Sequence, residues 1–325
     1  MREKVLIIQS AFIGDAILAS SMLETVHREN PEAEIHLLVR KGNEALYASH
    51  PFLAKLWVWD KSHKYKSLFN LLSAIRKERF HYVFCAQRFG TMGLFTVLCG
   101  AKIKVGFKKN PWSFLFTKRI AHHFAPNWHE IDRNNGLLEP WLGKIKPALP
   151  RLYPSEKDRA TSAQYKGKPY LCLFPSSVWA TKQLPAEKWL ELIELNPSYR
   201  IYLMGSPADK ALCDSILKAS KHPDIQNLCG KLKLLESAAL MEGAKMNFVN
   251  DSAPLHLATA TNSPVRAFYC STIPEFGFGP LSEDSAVIET KEKLSCRPCG
   301  LHGKKACPLG HFRCAFTIDL KNLAL

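Results

Sequence analysis

The sequence lacks what a membrane-spanning or exported chain would carry. No run approaches the roughly 20 apolar residues that a spanning helix requires. Met1 to Lys4 is charged, and the apolar run Val5 to Ile8 stops at polar Gln9 and Ser10, too short for a secretory core. These absences lead to the expectation of a cytoplasmic protein. No G-x-G-x-x-G loop follows the first apolar run, so the dinucleotide fingerprint is missing. No paired-acid motif of the kind that holds Mg²⁺ on a diphosphate is visible. Acid is scarce altogether: 29 Asp and Glu stand against 44 Lys and Arg in 325 residues, a net charge of +15. That balance calls for an anionic partner, whether nucleic acid, a phosphorylated substrate or an anionic lipid surface. A hydrophobic content of 46% excludes a disordered chain and supplies a sizeable core.

What is there is alternation. Val5 to Ile8 is continuous and apolar, as in a strand buried on both faces. An amphipathic stretch runs from Ala16 to Arg28 and is stopped by Pro31. Strands are expected at Ile35 to Val39, Leu56 to Trp59 and Tyr82 to Ala86, with a helix over Tyr65 to Arg79. The pattern thins between Gly143 and Lys168, which reads as a linker. It then restarts, with strands at Tyr170 to Phe174, Arg200 to Met204, Met246 to Asn250 and Val265 to Tyr269. The helices between and after them are Pro185 to Leu195, Ala208 to Ala219 and Pro254 to Thr261. Such alternation implies parallel sheets. The expectation is an α/β protein of two doubly wound, Rossmann-like domains, residues 1–150 and 151–325, with a central cleft as the ligand site.

Four segments carry chemistry. The first is Gln9-Ser10-Ala11-Phe12-Ile13-Gly14-Asp15, at the C-terminal end of the first strand, where open α/β sheets place ligands. Asp15 reads either as a general base or as the cap of the helix that follows. The second is Phe174-Pro175-Ser176-Ser177 through Thr181-Lys182-Gln183-Leu184-Pro185. A hydroxyl, an ammonium and a helix start make a diphosphate site there, against a solvated surface lysine as the alternative. On the first reading, Lys182→Ala weakens nucleotide binding and leaves the fold intact. The third is Asn250-Asp251-Ser252-Ala253-Pro254-Leu255-His256, a strand end running into a helix N-terminus that favours an anion. His256 is either a ligand contact or a structural histidine. The fourth is Cys296, Cys299, Cys307 and Cys314, a possible structural zinc cluster in which only the first pair has knuckle spacing. Packing thiols or a local disulfide are the alternatives. The other six cysteines are scattered and read as buried small hydrophobes. Separately, Lys102 to Arg119 contains six cations and no acid, interleaved with Phe107, Trp112, Phe114 and Phe116. It suits an anionic membrane surface, a phosphorylated acceptor or nucleic acid, or is a solvated face with core aromatics.

Taken in order, these segments resemble glycosyltransferase family 9, the lipopolysaccharide heptosyltransferases. Ile13-Gly14-Asp15, Phe174-Pro175-Ser176-Ser177, Thr181 to Pro185, Asn250 to Ala258, Gly279-Pro280 and Cys307-Pro308-Leu309-Gly310-His311 carry the likeness, with His129, Asp132 and Arg133 before the linker. The resemblance implies the GT-B fold and inverting transfer from ADP-heptose to the lipid A–core, with no catalytic metal or other cofactor. It implies Asp15 as the base, with Gly14 and Arg88 on the acceptor side. Ser176, Thr181, Lys182, Asp251, Ser252, Ala253 and His256 fall on the donor side. The implied partners are a nucleotide sugar and an anionic glycolipid, with peripheral contact at the inner membrane surface and no nucleic acid. Two positions depart from the family's pattern: Ser252-Ala253 stands where Ser or Thr then Gly is usual, and Pro175-Ser176-Ser177 where Pro-Gly-Ala is usual. A family 9 transferase using another nucleotide sugar is the nearest alternative. A basic nucleic-acid-binding protein is the alternative from another class.

Overall fold

In a computed structural model, described here for residues 2–123 and 128–325, the chain divides into two compact units, Met1–Tyr153 and Pro154–Leu325. In the first unit, strands β1 (Lys4–Gln9), β2 (Glu34–Arg40), β3 (Leu53–Trp59), β4 (Tyr82–Cys85), β5 (Ile103–Phe107) and β6 (Lys118–Ile120) form one parallel sheet. Helices α1 (Ile13–Glu29), α2 (Lys64–Glu78), α3 (Gly90–Leu98), α4 (Glu130–Asn135) and the short α5 (Glu139–Leu142) accompany it. The strand order is β3-β2-β1-β4-β5-β6. β1 is buried from Val5 to Gln9 because its neighbours on both edges and the helices on both faces cover it, which is why its sequence does not alternate.

The second unit repeats the plan. After α6 (Glu156–Ala163) come β7 (Tyr170–Phe174), α7 (Ala186–Glu194), β8 (Arg200–Leu203), α8 (Lys210–Ala219) and β9 (Ile225–Asn227). Then follow α9 (Leu234–Glu242), β10 (Met246–Asn250), α10 (Ala253–Ala260), β11 (Val265–Tyr269), β12 (Ser285–Glu289) and α11 (Arg313–Phe316). The order β12-β11-β10-β7-β8-β9 is again parallel and has the same connectivity as the first sheet. Each sheet reverses direction of winding at one point, between β1 and β4 in the first unit and between β7 and β10 in the second. Ligand crevices open at such points, beyond the C-terminal strand ends. After β12 the cysteine-rich segment crosses back, and Ala315, Ile318, Leu320 and Leu323 complete the core around Trp189 and Phe248.

Some expectations shift. α1 starts at Ile13 rather than Ala16, so Asp15 lies inside its first turn. The stretch read as a linker contains α6, which starts on a reciprocal cap between Ser155 and Asp158 rather than on an apolar periodicity. Ahead of it, residues 146–151 are strapped along the polar face of α1. The Ser21 hydroxyl donates to the Ala148 carbonyl at 2.5 Å, and Thr25 and Ser20 accept from the N–H groups of Ala148 and Arg151 at 2.9 Å each. The basic stretch 102–119 holds strand β5, whose Phe107 is buried, and edge strand β6; Phe116 is buried beside Gly106.

Candidate active site

In the first unit the loop after β1 is held by three amides. Gln9 Oε1 accepts from the N–H of Ala11 at 3.2 Å and from Gln87 Nε2, across the switch point. Asn43 Nδ2 donates to the Ala11 carbonyl at 3.2 Å. Gln87 also lends its carbonyl to Asn110 Nδ2 at 3.0 Å, and Asn110 fits only because position 93 is glycine: a Cβ there would lie 1.9 Å from Asn110 Oδ1. None of Gln9, Gln87, Asn43 or Asn110 stood out in the sequence, because a buried amide has no sequence signature until its partners are known.

This frame presents Gly14 and Asp15 as the second and third residues of α1. Phe12, the residue before the helix, has no side-chain cap to offer, and the backbone N–H groups of Phe12 and Asp15 lower the Asp15 carboxyl against the larger effect of burial. Asp15 thus lies in the first turn of the helix, and it also faces charge. Burial pushes its carboxyl above the ordinary aspartate value; Arg88 and Arg40 pull it back down. Glu130 lies close enough to feel Asp15. Burial is again the main cause of its raised value, opposed by Arg133 at 2.7 Å, with Asp15 adding to the rise. His122 is held down to about 4 by burial and then by Arg88, Arg133 and Lys109, so it is neutral at physiological pH. Asp15, Arg88, His122, Glu130 and Arg133 thus form one electrostatic group. The motif residue His129 caps α4 through Nδ1, with Asp132 answering to its N–H at 2.8 Å. Its role in the first unit is to start the helix that carries Glu130 and Arg133.

In the second unit the structure joins residues that the sequence presents separately. Lys182 Nζ lies 2.6 Å from Asp251 Oδ2, with both side chains mostly buried. Thr272 donates a further hydrogen bond to the same oxygen at 2.6 Å. Asn250, wholly buried, ties the loops to each other. Its Oδ1 accepts from the Leu184 N–H at 2.9 Å, and its Nδ2 donates to the carbonyls of Phe174 at 3.2 Å and Pro175 at 2.9 Å. Asp251 and Ser252 follow directly, and Ser252 is the N-cap of α10 without a side-chain bond to the helix. Ala253 already has helical backbone, a conformation open to any residue, so its departure from glycine strains nothing here. Pro254 is the next residue and brings no N–H. The start of α10 thus presents the positive end of a helix beside the Lys182 ammonium. His256 is buried one turn on, with its ring 6.3 Å from that of Phe278.

Two residues expected on the donor side are occupied by protein partners. Ser176 donates to Asp209 Oδ1 at 2.5 Å. Thr181 is buried, and its hydroxyl oxygen accepts from the N–H of Lys304 at 2.7 Å and from the Ser271 hydroxyl at 2.9 Å. Through Lys304 the cysteine-rich segment reaches the Lys182 loop. Gly303, at φ +76°, runs so close that a Cβ would lie 3.1 Å from both Lys182 Cγ and Thr181 Oγ1. Arg297 secures the same segment, donating to the carbonyls of Cys270 and Thr272 at 2.8 Å each.

The four late cysteines lie within electrostatic reach of one another: burial raises the Cys314 thiol, and Cys299, Cys307 and Cys296 add to the rise. Cys296 Sγ is 3.9 Å from His311 Nε2, Cys299 donates to the Cys296 carbonyl at 3.2 Å, and Cys314 is buried, its thiol pushed up to about 11. Among the described residues, the group with ligand atoms closest together is Glu34, His36 and Glu78. Lys4 Nζ sits within it, 3.1 Å from Glu34 and 2.9 Å from Glu78. Trp57 Nε1–H donates to His36 Nδ1 at 3.1 Å, which leaves the proton on Nε2, facing Glu34 at 2.9 Å. An ammonium and a protonated ring nitrogen occupy that centre, so it is an ion-pair network rather than a metal site.

Comparison with known proteins gives one consistent result. Residues 68–309 match the model of glycosyltransferase family 9 (heptosyltransferase). A lipopolysaccharide core heptosyltransferase, OpsX of Haemophilus influenzae, is 24% identical over 279 residues, covering 82% of this chain and 79% of the relative. The solved structure of Escherichia coli ADP-heptose LPS heptosyltransferase II superposes with a TM-score of 0.78 at 20% identity, over 91% of this chain and 95% of the other. E. coli heptosyltransferase WaaC with ADP gives 0.71 at 19% identity, over 87% and 92%. Two parallel six-stranded sheets with interleaved helices are the GT-B fold of those structures. With a family model spanning most of its length and both switch points built as described, the chain belongs to glycosyltransferase family 9.

Proposed function

We propose that this enzyme transfers a heptose from ADP-heptose to the inner core of a lipopolysaccharide, with inversion at the anomeric carbon, at the cytoplasmic face of the inner membrane. The observation that carries the reading is the division of charge between the two switch points. The first offers a carboxylate, Asp15, whose proton affinity is raised by burial. The second offers an ammonium, Lys182, beside the positive end of α10. Asp15 takes the proton of the acceptor hydroxyl as its oxygen attacks the anomeric carbon. The bond from that carbon to the diphosphate breaks, and the ADP leaves with the electron pair. Lys182 and the N–H groups at the start of α10 stabilise that developing charge, as preorganised donors do. The cations near Asp15, Arg88 and Arg40, suit an acidic acceptor glycan. Relatives named as lipopolysaccharide heptosyltransferases, and a neighbour solved with ADP, support the choice of donor and acceptor.

The test is a thermal-shift series with ADP, UDP, GDP and their sugars. A ligand at a hundred times its Kd stabilises a fold by about 2.7 kcal/mol. ADP and ADP-heptose are expected to raise the melting temperature and the uridine and guanosine series to leave it unchanged. A preference for UDP would replace the donor in this reading while leaving the family intact.

A further inference from the structure

We propose that the outer surface of α2, α3 and the loop between β5 and β6 is the face by which the first unit lies on an anionic lipid bilayer. This rests on the reading of the acceptor as a membrane-held glycolipid, and it names the surface involved. The first observation is where the charge is. Residues 64–119 contain twelve Lys and Arg and a single acid, Glu78. Glu78 is already bound by Lys4 and Lys55 at 2.9 Å each. Most of the protein's excess positive charge therefore comes from this one span.

The second observation is what stands among those cations. Tyr65 is 79% exposed and Phe69 73% exposed, four residues apart on α2 and so one above the other on its outer side. Leu94 and Leu98 repeat the spacing on α3, and Phe114 and Leu115 project from the following loop. A soluble surface scatters single apolar residues; it does not usually group six of them, two with helical spacing on each of two adjacent helices.

The third observation is that these elements form one face. The inner sides of both helices, Leu68, Leu71, Leu72 and Ile75 on α2 and Met92 and Phe95 on α3, pack into the same core cluster, so their outer sides share a direction. Arg76 Nη1 links α2 to the Leu98 carbonyl at 3.2 Å. Asn110 Nδ2 links the β5–β6 loop to the Phe89 carbonyl at 3.1 Å. Aromatic and leucine side chains at headgroup depth, with lysines beside them, are how an amphipathic surface rests on an acidic leaflet without spanning it. A neutral partner would leave the lysines uncompensated. A purely charged partner would leave Tyr65 and Phe69 in water.

The experiment is co-sedimentation of the full chain with vesicles of phosphatidylcholine alone or with 30% phosphatidylglycerol (about 30 mol%), at low and high salt. Binding is expected only to the acidic vesicles and to weaken as salt rises. Tyr65→Ser with Phe69→Ser should lower partitioning at least about tenfold, since each loses the apolar area that would enter the interface. Lys64→Glu with Lys66→Glu should do the same through charge. Melting curves of both variants, all at exposed positions, should match the parent. Equal binding to neutral vesicles, or unchanged binding by both variants, overturns the proposal. So does a dimer in solution that Tyr65→Ser with Phe69→Ser dissolves, which would make the face a contact between copies. Binding of single-stranded DNA that depends on the same residues, without vesicle binding, overturns it too. Transfer to a soluble, deacylated acceptor separates the two readings. If it proceeds while vesicle binding fails, the docking face is wrong and the transferase reading stands; the reverse result sinks the transferase reading alone.

Discussion

Replacing Lys182 tests the second switch point, because the pair with Asp251 makes two effects separable. Asp251 is 5% exposed, and apart from Thr272 its charge is answered at 2.6 Å by Lys182. Removing the lysine leaves a buried carboxylate without its cation. Breaking a buried pair in this way costs about 3–5 kcal/mol, and the slight exposure of Lys182 places the expected loss at the lower end. For a unit of this size, each kcal/mol moves the melting temperature by roughly 2–4 °C, so Lys182→Met should melt about 6–12 °C lower. The expectation from sequence, that the lysine can go and the fold stay intact, is therefore revised. Lys182→Met with Asp251→Asn removes both charges and should recover most of the loss. ADP affinity should not recover, because the ammonium proposed to meet the diphosphate is still gone. Losing such a charge-assisted contact costs about 1.5–3 kcal/mol, readable by calorimetry as roughly a ten- to hundredfold weaker Kd. The reasoning fails if the single variant melts like the parent, or if the double variant binds ADP as tightly as the parent does.

Gly303→Ala forces a side chain into φ +76° against Lys182 and Thr181, so donor KM should rise several-fold while acceptor KM holds; equal effects on both would point to a general loss of fold. Asn250→Ala removes three hydrogen bonds to two loop segments and should destabilise the protein by about 1–3 kcal/mol with a parallel loss of ADP affinity, measured by denaturant titration and calorimetry. Because burial raises the Asp15 carboxyl, its base form disappears as pH falls through a value above the ordinary aspartate range, and kcat/KM should fall with it. Arg88 lowers that value, so Arg88→Met should move the acidic limb to higher pH; a limb that stays in place would separate Arg88 from Asp15.

Much of the fold was legible because buried parallel strands write themselves as unbroken apolar runs. Val5 to Ile8 and Tyr170 to Phe174 lie at the centre of the two sheets, and both were readable. The elements that escaped were strands away from the sheet centres and weak helices. α3 opens Gly-Thr-Met-Gly, poor helix formers held by packing on Phe95 and Met92. β5 alternates Ile103, Val105 and Phe107 with Lys104, and the neighbouring lysines disguised it as part of a basic surface. At the site, motif order located the loops but not their bonds. Thr181 reads as a ligand hydroxyl, yet its oxygen serves Ser271 and Lys304, 90 and 123 residues away in sequence. Asn250, inside a motif, and Gly303, outside every motif, acquire their roles only from contacts that the chain makes after folding.

Asp15→Asn, assayed for heptose transfer to a lipid A–core acceptor with ADP affinity and a melting curve on the same preparation, is the decisive measurement. The folded protein holds the Asp15 proton more tightly than the unfolded chain does. Ionising Asp15 therefore costs stability as pH rises through the raised value, and the neutral amide should melt at or above the parent temperature at pH 7. ADP should bind unchanged, since its proposed contacts lie in the second unit. Turnover should fall by at least the roughly 10²-fold typical of a lost general base. Turnover close to that of the parent, with the fold and ADP binding intact, would contradict Asp15 as the base and leave it a helix cap.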